Sequence, residues 1–142
     1  MTTTRPGVVL AVDVGTVRVG VAASDPDRLL ASPVETVAAP GLARVAELVA
    51  ERAAVVVVVG LPTSLSGRSE SASADMARDY AAQLAPLVAP VPVELVDERL
   101  TTVTATAALR ASGKKGKAAR AVVDQAAAVA LLQGYLDRRP TP

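Results

Sequence analysis

Residues 7–23 read GVVLAVDVGTVRVGVAA, two valine-rich runs separated by the turn Asp13-Val14-Gly15-Thr16. Short continuous apolar runs rich in β-branched residues, bounded by a glycine-containing turn, favour strands over helices. Residues 7–12 and 17–23 are therefore expected to pair as a hairpin with a carboxylate at its bend. Residues 29–37 make a third, weaker strand, and Pro33, which has no N–H for a ladder, places it near a sheet edge. Residues 54–59 include five consecutive valines and are expected to form a central, buried strand.

Around these strands the pattern changes period. Leu42, Val45, Leu48 and Val49 recur at helical spacing. Residues 60–73, GLPTSLSGRSESAS, are too rich in Gly, Pro and Ser for either element and read as a loop. A helix over about 72–87 and a strand over 93–96 follow, with Pro86, Pro90 and Pro92 punctuating the join. Residues 101–111 suit a threonine-capped helix, residues 112–117 break it with two glycines, and 118–136 form an alanine-rich closing helix. Three strands followed by alternating helix and strand predict an α/β domain. Its central five-stranded mixed sheet has three antiparallel strands, then two parallel ones, and helices flank it. A length of 142 residues fits one domain spanning 1–142, with 1–6 and 139–142 expected as flexible termini.

Composition narrows the chemistry. The chain has no histidine and no cysteine, which removes the most frequent general base and the soft-metal ligands. Hard-cation chemistry on carboxylates remains, with Asp and Glu oxygens holding Mg²⁺ or Mn²⁺ against a phosphate. Phe and Trp are absent and the only aromatics are Tyr80 and Tyr135, so single-strand recognition by base stacking has few platforms. Between residues 99 and 123 lie six basic residues and no acidic one, leaving nine basic against fourteen acidic elsewhere. A solvated helix end is the plainer reading of such a run. Here GKKGKAAR leads directly to Asp124, so a phosphate-attracting surface would adjoin a candidate ligand. The N-terminus matches neither a signal peptide nor a spanning helix, which predicts a cytoplasmic protein with no membrane partner.

Three acidic motifs are the candidate site. Asp13 ends the first strand; an Asp-x-Gly turn explains it structurally, whereas a carboxylate flanked by valines needs a compensating partner. Gly15 and Gly20 allow close backbone approach, and Arg18 offers a bidentate donor to phosphate or to a surface carboxylate. In VELVDERLTT, Asp97 and Glu98 follow a strand at the carboxyl end where open α/β sheets bind ligands. Adjacent residues on an extended chain face opposite ways, so one of the pair faces the site; Glu98 is favoured and Asp97 is assigned a structural or capping role. Arg99, Thr101 and Thr102 are phosphate donors or caps for the next helix. Asp124 pairs with Arg120 at i,i+4 on one reading; on the other, its apolar neighbours Val122, Val123, Ala127, Ala128, Leu131 and Leu132 turn it towards the sheet.

The segments AVDVGTVRVGVAASDP, VVVGLP, VELVDERLTT, GKKGKAAR and VVDQAAAVALLQGYLD occur in that order. With them the chain resembles, over essentially its full length, the YqgF/RuvX family of pre-16S rRNA nucleases, also described as Holliday junction resolvase-like proteins. The resemblance implies an RNase H-like fold and a catalytic, metal-binding centre of Asp13, Glu98 and Asp124. It further implies hydrolysis of phosphodiesters with Mg²⁺ or Mn²⁺, one ion activating water and a second stabilising the leaving oxygen. Lys114, Lys115, Lys117 and Arg120 would hold nucleic-acid phosphates without reading sequence, with Arg18, Arg68, Arg99 and Thr101 as further contacts. The implied partner is an rRNA precursor, and with it the ribosome, or branched DNA; junction cleavage needs a homodimer, whereas rRNA trimming needs only a monomer.

Two other classes compete. The Asp-x-Gly-Thr hairpin also resembles the phosphate-binding hairpin of actin-like ATPases and sugar kinases, which require a second domain that this length does not accommodate. A non-catalytic nucleic-acid or ribosome-associated binding protein on the same fold is the other, against which the three intact acids count.

Overall fold

A computed structural model describes residues 6–62, 72–97 and 116–138, with side chains in the last segment from residue 125 onward. The elements are β1 (Val8–Val14), β2 (Arg18–Ser24), β3 (Ala31–Ala38), α1 (Leu42–Glu51), β4 (Ala54–Leu61), α2 (Ala72–Val88), β5 (Val93–Asp97) and α3 (Gly116–Arg138). The expected helix over 101–111, the break over 112–115, the loop from 63 to 71 and the outermost termini lie outside the described residues.

The strands form one five-stranded sheet in the order β3-β2-β1-β4-β5. β1 pairs antiparallel with β2, and β2 with β3, while β1–β4 and β4–β5 are parallel. β4 is interior as its valines required, but the middle position belongs to β1. Both partners of β1 are thus fixed: β2 by the short hairpin, β4 by a crossover through α1. β3 does occupy an edge, and Pro33 sits there opposite Ala22, just past a register shift in the ladder.

Side-chain alternation divides the sheet into two cores. Leu10 and Val12 of β1, with Val57 and Val59 of β4, pack beneath α1 and α2 through Val45, Leu48, Ala77, Tyr80 and Leu84. Val9 and Ala11, with Val56, Val58 and Val96, pack on the opposite face beneath α3 through Ala128, Leu131, Leu132 and Tyr135. α1 obeys its helical spacing, burying Val45, Leu48 and Val49. Its N-cap is Gly41 in the left-handed region at φ 55°, where an added Cβ would lie 2.3 Å from Val37 Cγ1. Only glycine fits that entry.

α3 starts at Gly116, two residues earlier than its alanine run suggested. Glycine's entropic cost is that of a helix interior, and a helix end tolerates it better. The Gln133 amide fastens the far half of α3 to the start of β3: its Oε1 accepts from Ala31 N at 2.9 Å and its Nε2 donates to Leu29 O at 3.2 Å. The β2–β3 connection is organised by Asp25, whose carboxylate accepts from the backbone N–H groups of Asp27, Leu29 and Leu30. Those bonds, Leu30's foremost, hold its carboxyl below the usual range. Ser24, buried at the end of β2, accepts from Val9 N at 2.9 Å and closes the mouth of the hairpin.

Tyr80 is the aromatic of the α1–α2 core, and its hydroxyl donates to Pro40 O at 2.7 Å. Burial pushes the phenol up to about 12 from 10.0. A raised folded-state pKa means that the neutral, bonded phenol stabilises fully below pH 10 and loses that contribution as pH rises through about 12. Tyr80→Phe is expected to lower the unfolding free energy at neutral pH by about 1 kcal/mol. Urea titrations of both proteins from pH 8 upward should show the difference shrinking above pH 10.

Candidate functional site

Parallel pairing brings the carboxyl ends of β1, β4 and β5 to one edge of the sheet. Asp13, half-buried, lies at that end of β1 and pairs with Gly20 of β2, which in turn pairs with Thr36 of β3. On the other side Val12 pairs with Val59, so Asp13 is level with Gly60, and Gly60 pairs with Val96. One row therefore runs Thr36, Gly20, Asp13, Gly60, Val96 across the five strands, at about 4.8 Å per strand.

Alternation assigns this row a face. Val9 and Ala11 point into the α3 core, so Asp13, two further on, shares their side, and Val96 in the same row belongs to that core. Asp13 thus faces α3 with Gly20 and Gly60, both buried and without side chains, on its flanks. This is room around a carboxylate in the middle of a sheet. Gly60 was not singled out from the sequence, although the VVVGLP segment contains it; its role depends on the β1–β4 register, which pairing alone reveals.

Of the middle motif's two acids, the structure describes Asp97. Val96 lies on the α3 face, whereas Val93 packs into the α1–α2 core, so Asp97 falls on the face opposite Asp13. Asp97 is half-buried and pairs with Leu61 at the last rung of β5. Glu98 lies outside the described residues, as do Arg68, Arg99, Thr101, Thr102, Lys114 and Lys115.

Asp124, Lys117 and Arg120 are placed as helix positions, their side chains being outside the described set. Position 124 precedes Ala128 by four residues, Leu131 by seven and Tyr135 by eleven, which puts it on the stripe that packs against the sheet. The neighbouring Gln125 donates from Nε2 to Thr36 Oγ1 at 2.9 Å, so this part of α3 lies over the row that contains Asp13. Arg18 opens β2 opposite Ala38, half-buried, just past the turn that follows Asp13.

That turn is close-packed. A Cβ on Gly15 would stand 2.5 Å from Arg18 O, so the chain reverses tightly only with glycine there. Beyond it, on the α2 side, a cleft of about 590 Å³ lies between Gly15, Thr16 and Pro40 and the α2 residues Asp75, Met76, Asp79 and Tyr80. Its carboxylates repel phosphate.

The donor set is oxygen only. Among the described residues no group of three acidic side chains is close enough to hold a metal, with Glu98 and the Asp124 side chain not part of that set. Asp13 fits a divalent ion: a hard ligand, half-buried, between two glycines that leave space for water or a phosphate oxygen.

The sequence profile of the RuvX family, described as Holliday junction resolvase, matches residues 7–138. The chain belongs to the RuvX family. Relatives named pre-16S rRNA nuclease include one from Mycobacterium ulcerans, 56% identical over 136 residues, covering 93% of this chain and 79% of that protein. Another, from Mycobacterium leprae, is 58% identical over 139 residues, covering 94% and 75%. A third, from Rhodococcus opacus, is 52% identical over 138 residues, covering 92% and 77%. Among solved structures, Thermus thermophilus RuvC bound to a Holliday junction superposes with a TM-score of 0.53 at 17% identity, covering 94% of this chain and 95% of that one. RuvC from the same organism in a second structure gives 0.53 at 20% identity, covering 91% and 93%. These neighbours share the fold, and the RuvX chain is accordingly RNase H-like, as its motifs implied.

The turn offers a direct check. Gly15→Ala is expected to cost roughly 1–3 kcal/mol, because the hairpin must open to admit the methyl group. Thermal unfolding of the variant should fall by several degrees; an unchanged midpoint would contradict the close approach to Arg18 O.

Proposed function

We propose that this RuvX chain is a divalent-metal-dependent nuclease that hydrolyses phosphodiester bonds in structured nucleic acid, with the 5′ end of pre-16S rRNA as its substrate. One observation carries the reading. Asp13 stands at the carboxyl end of the middle strand, facing α3 between two glycines, and the helix position of Asp124 lies on the stripe of α3 that covers that face. Asp97, at the end of β5, lies on the face opposite Asp13, which leaves Glu98 as the favoured third ligand.

Asp13, Glu98 and Asp124 would hold Mg²⁺ or Mn²⁺, which when bound supplies Lewis acidity and a more acidic water at neutral pH. The carboxylates of the chain would hold and orient the cation; with no histidine present, a carboxylate is the candidate to receive the proton of the attacking water. Lys114, Lys115, Lys117 and Arg120 would fix the phosphate backbone beside Asp124, and Arg18, Arg68, Arg99 and Thr101 would add contacts around the edge. Phosphate-directed contacts position a strand without reading its bases, which suits selection by structure.

The relatives' name supports an rRNA substrate, and a cytoplasmic location is proposed with it. Junction resolution by a homodimer is the second reading, favoured by the description attached to the matching family profile. Among the described residues no helix is long and apolar enough to cross a membrane.

Asp13→Asn, Glu98→Gln and Asp124→Asn are each expected to abolish Mg²⁺- or Mn²⁺-dependent cleavage while substrate binding stays measurable. Asp97→Asn, on the opposite face, is expected to keep most of the activity. Cleavage of a precursor rRNA end and of a four-way DNA junction, assayed side by side with the mass in solution, separates the two substrates. Full activity in all three acid variants would overturn the assignment.

A further inference from the structure

Gln125 directly follows Asp124, and its hydrogen bond to Thr36 spans 89 positions of sequence. Thr36 is at one end of the row that continues through Gly20 to Asp13, two strands and about 10 Å away. The same row thus holds the catalytic candidate and the anchor of the helix that carries its partner. Gly20, between them, presents no side chain to α3.

Packing alone fixes this part of α3 poorly. Residues 126–128 are all alanine, and small side chains offer little relief against a roll or slide along the sheet. A directional hydrogen bond to a strand residue resists both motions. Eight residues on, Gln133 makes the corresponding attachment to the opposite end of β3, through Ala31 N and Leu29 O. Two glutamine amides therefore fasten α3 along one edge strand, and the nearer of them adjoins Asp124.

We propose that Gln125 and Thr36 form a positioning pair that sets the roll and height of α3 so that the Asp124 carboxylate reaches the same ion as Asp13. The proposal rests on the nuclease reading. Neither residue touches substrate; both act through Asp124. Supporting groups of this kind typically change metal affinity or activity by about 10–100-fold when removed.

The test compares Thr36→Val, Thr36→Ser, Gln125→Leu and the Thr36→Val/Gln125→Leu double variant with the unmodified chain. Mn²⁺ binding is measured by calorimetry, and kcat and KM are measured on the same preparations. Valine suits a strand, so the sheet should be retained. The pair predicts Mn²⁺ binding about tenfold weaker and kcat lower by about 10–100-fold in both single variants, with KM for nucleic acid unchanged. Thr36→Ser, which keeps the hydroxyl, should recover most of both, and the double variant should be no worse than the worse single one, as for residues acting as a unit. Unchanged Mn²⁺ binding in both single variants, with the unmodified chain binding normally, overturns the positioning role and leaves the nuclease reading intact. A loss that Thr36→Ser does not recover, or that adds in the double variant, also overturns it. If the unmodified chain neither binds Mn²⁺ nor cleaves, the nuclease reading itself fails.

Discussion

The alternation of side chains along β1 is the constraint on which the other features depend. With β1 in the middle of the sheet, both of its faces are covered, and a strand in that position has no solvent side on which to leave a charge. Leu10 and Val12 belong to one core, Val9 and Ala11 to the other, and the next residue on the second side is Asp13. A carboxylate at that point is expensive to desolvate unless something compensates it. Its place at the strand end, between two glycines, keeps it half-buried and accessible at the carboxyl edge of the sheet. A shift of β1 by one residue would send Asp13 into the α1–α2 core and Val12 to the site, so register and chemistry are one choice.

The two faces are unequal in ways that matter for the site. α1 and α2 share one, while among the described residues α3 covers the other, chiefly over β1, β2 and β3. The α3 interface includes small residues, with Ala11 and Ala22 from the sheet and Ala128 from the helix fully buried, beside the larger Leu131, Leu132 and Tyr135. Small side chains let a helix approach a sheet closely. The same economy of side chain leaves the helix less well keyed to the sheet, and polar ties from Gln125 and Gln133 supply the specificity that shape does not. A core without Phe or Trp thus packs through small aliphatic side chains, with a few hydrogen bonds adding direction.

Much of this was legible in the residues. The valine runs fixed the strands, Pro33 the edge position of β3, and the spacing of Leu42, Val45, Leu48 and Val49 the first helix, because each signal is local. Alternation indicated that one of Asp97 and Glu98 would face the site, and the resemblance to the family inclined the choice to Glu98; the structure places Asp97 on the α2 side. What sequence did not disclose is what pairing creates. Gly60 flanks Asp13 only through the β1–β4 register, β1 rather than β4 holds the centre through the crossover, and Thr36 meets Gln125 only once α3 has docked. Long-range polar contacts leave no periodic trace in a chain, so Gln125 read as one more residue of an alanine-rich helix.

We propose that Asp13, Glu98 and Asp124 converge on the α3 face at the carboxyl edge of the sheet. A crystal structure of the chain soaked with Mn²⁺, with the ion located by its anomalous scattering, tests this most directly. The expected result is an ion coordinated by carboxylate oxygens of all three residues, with Asp97 turned to the opposite face. An ion held through Asp97, or bound in the acidic α2 cleft with Asp13 unengaged, would contradict the account.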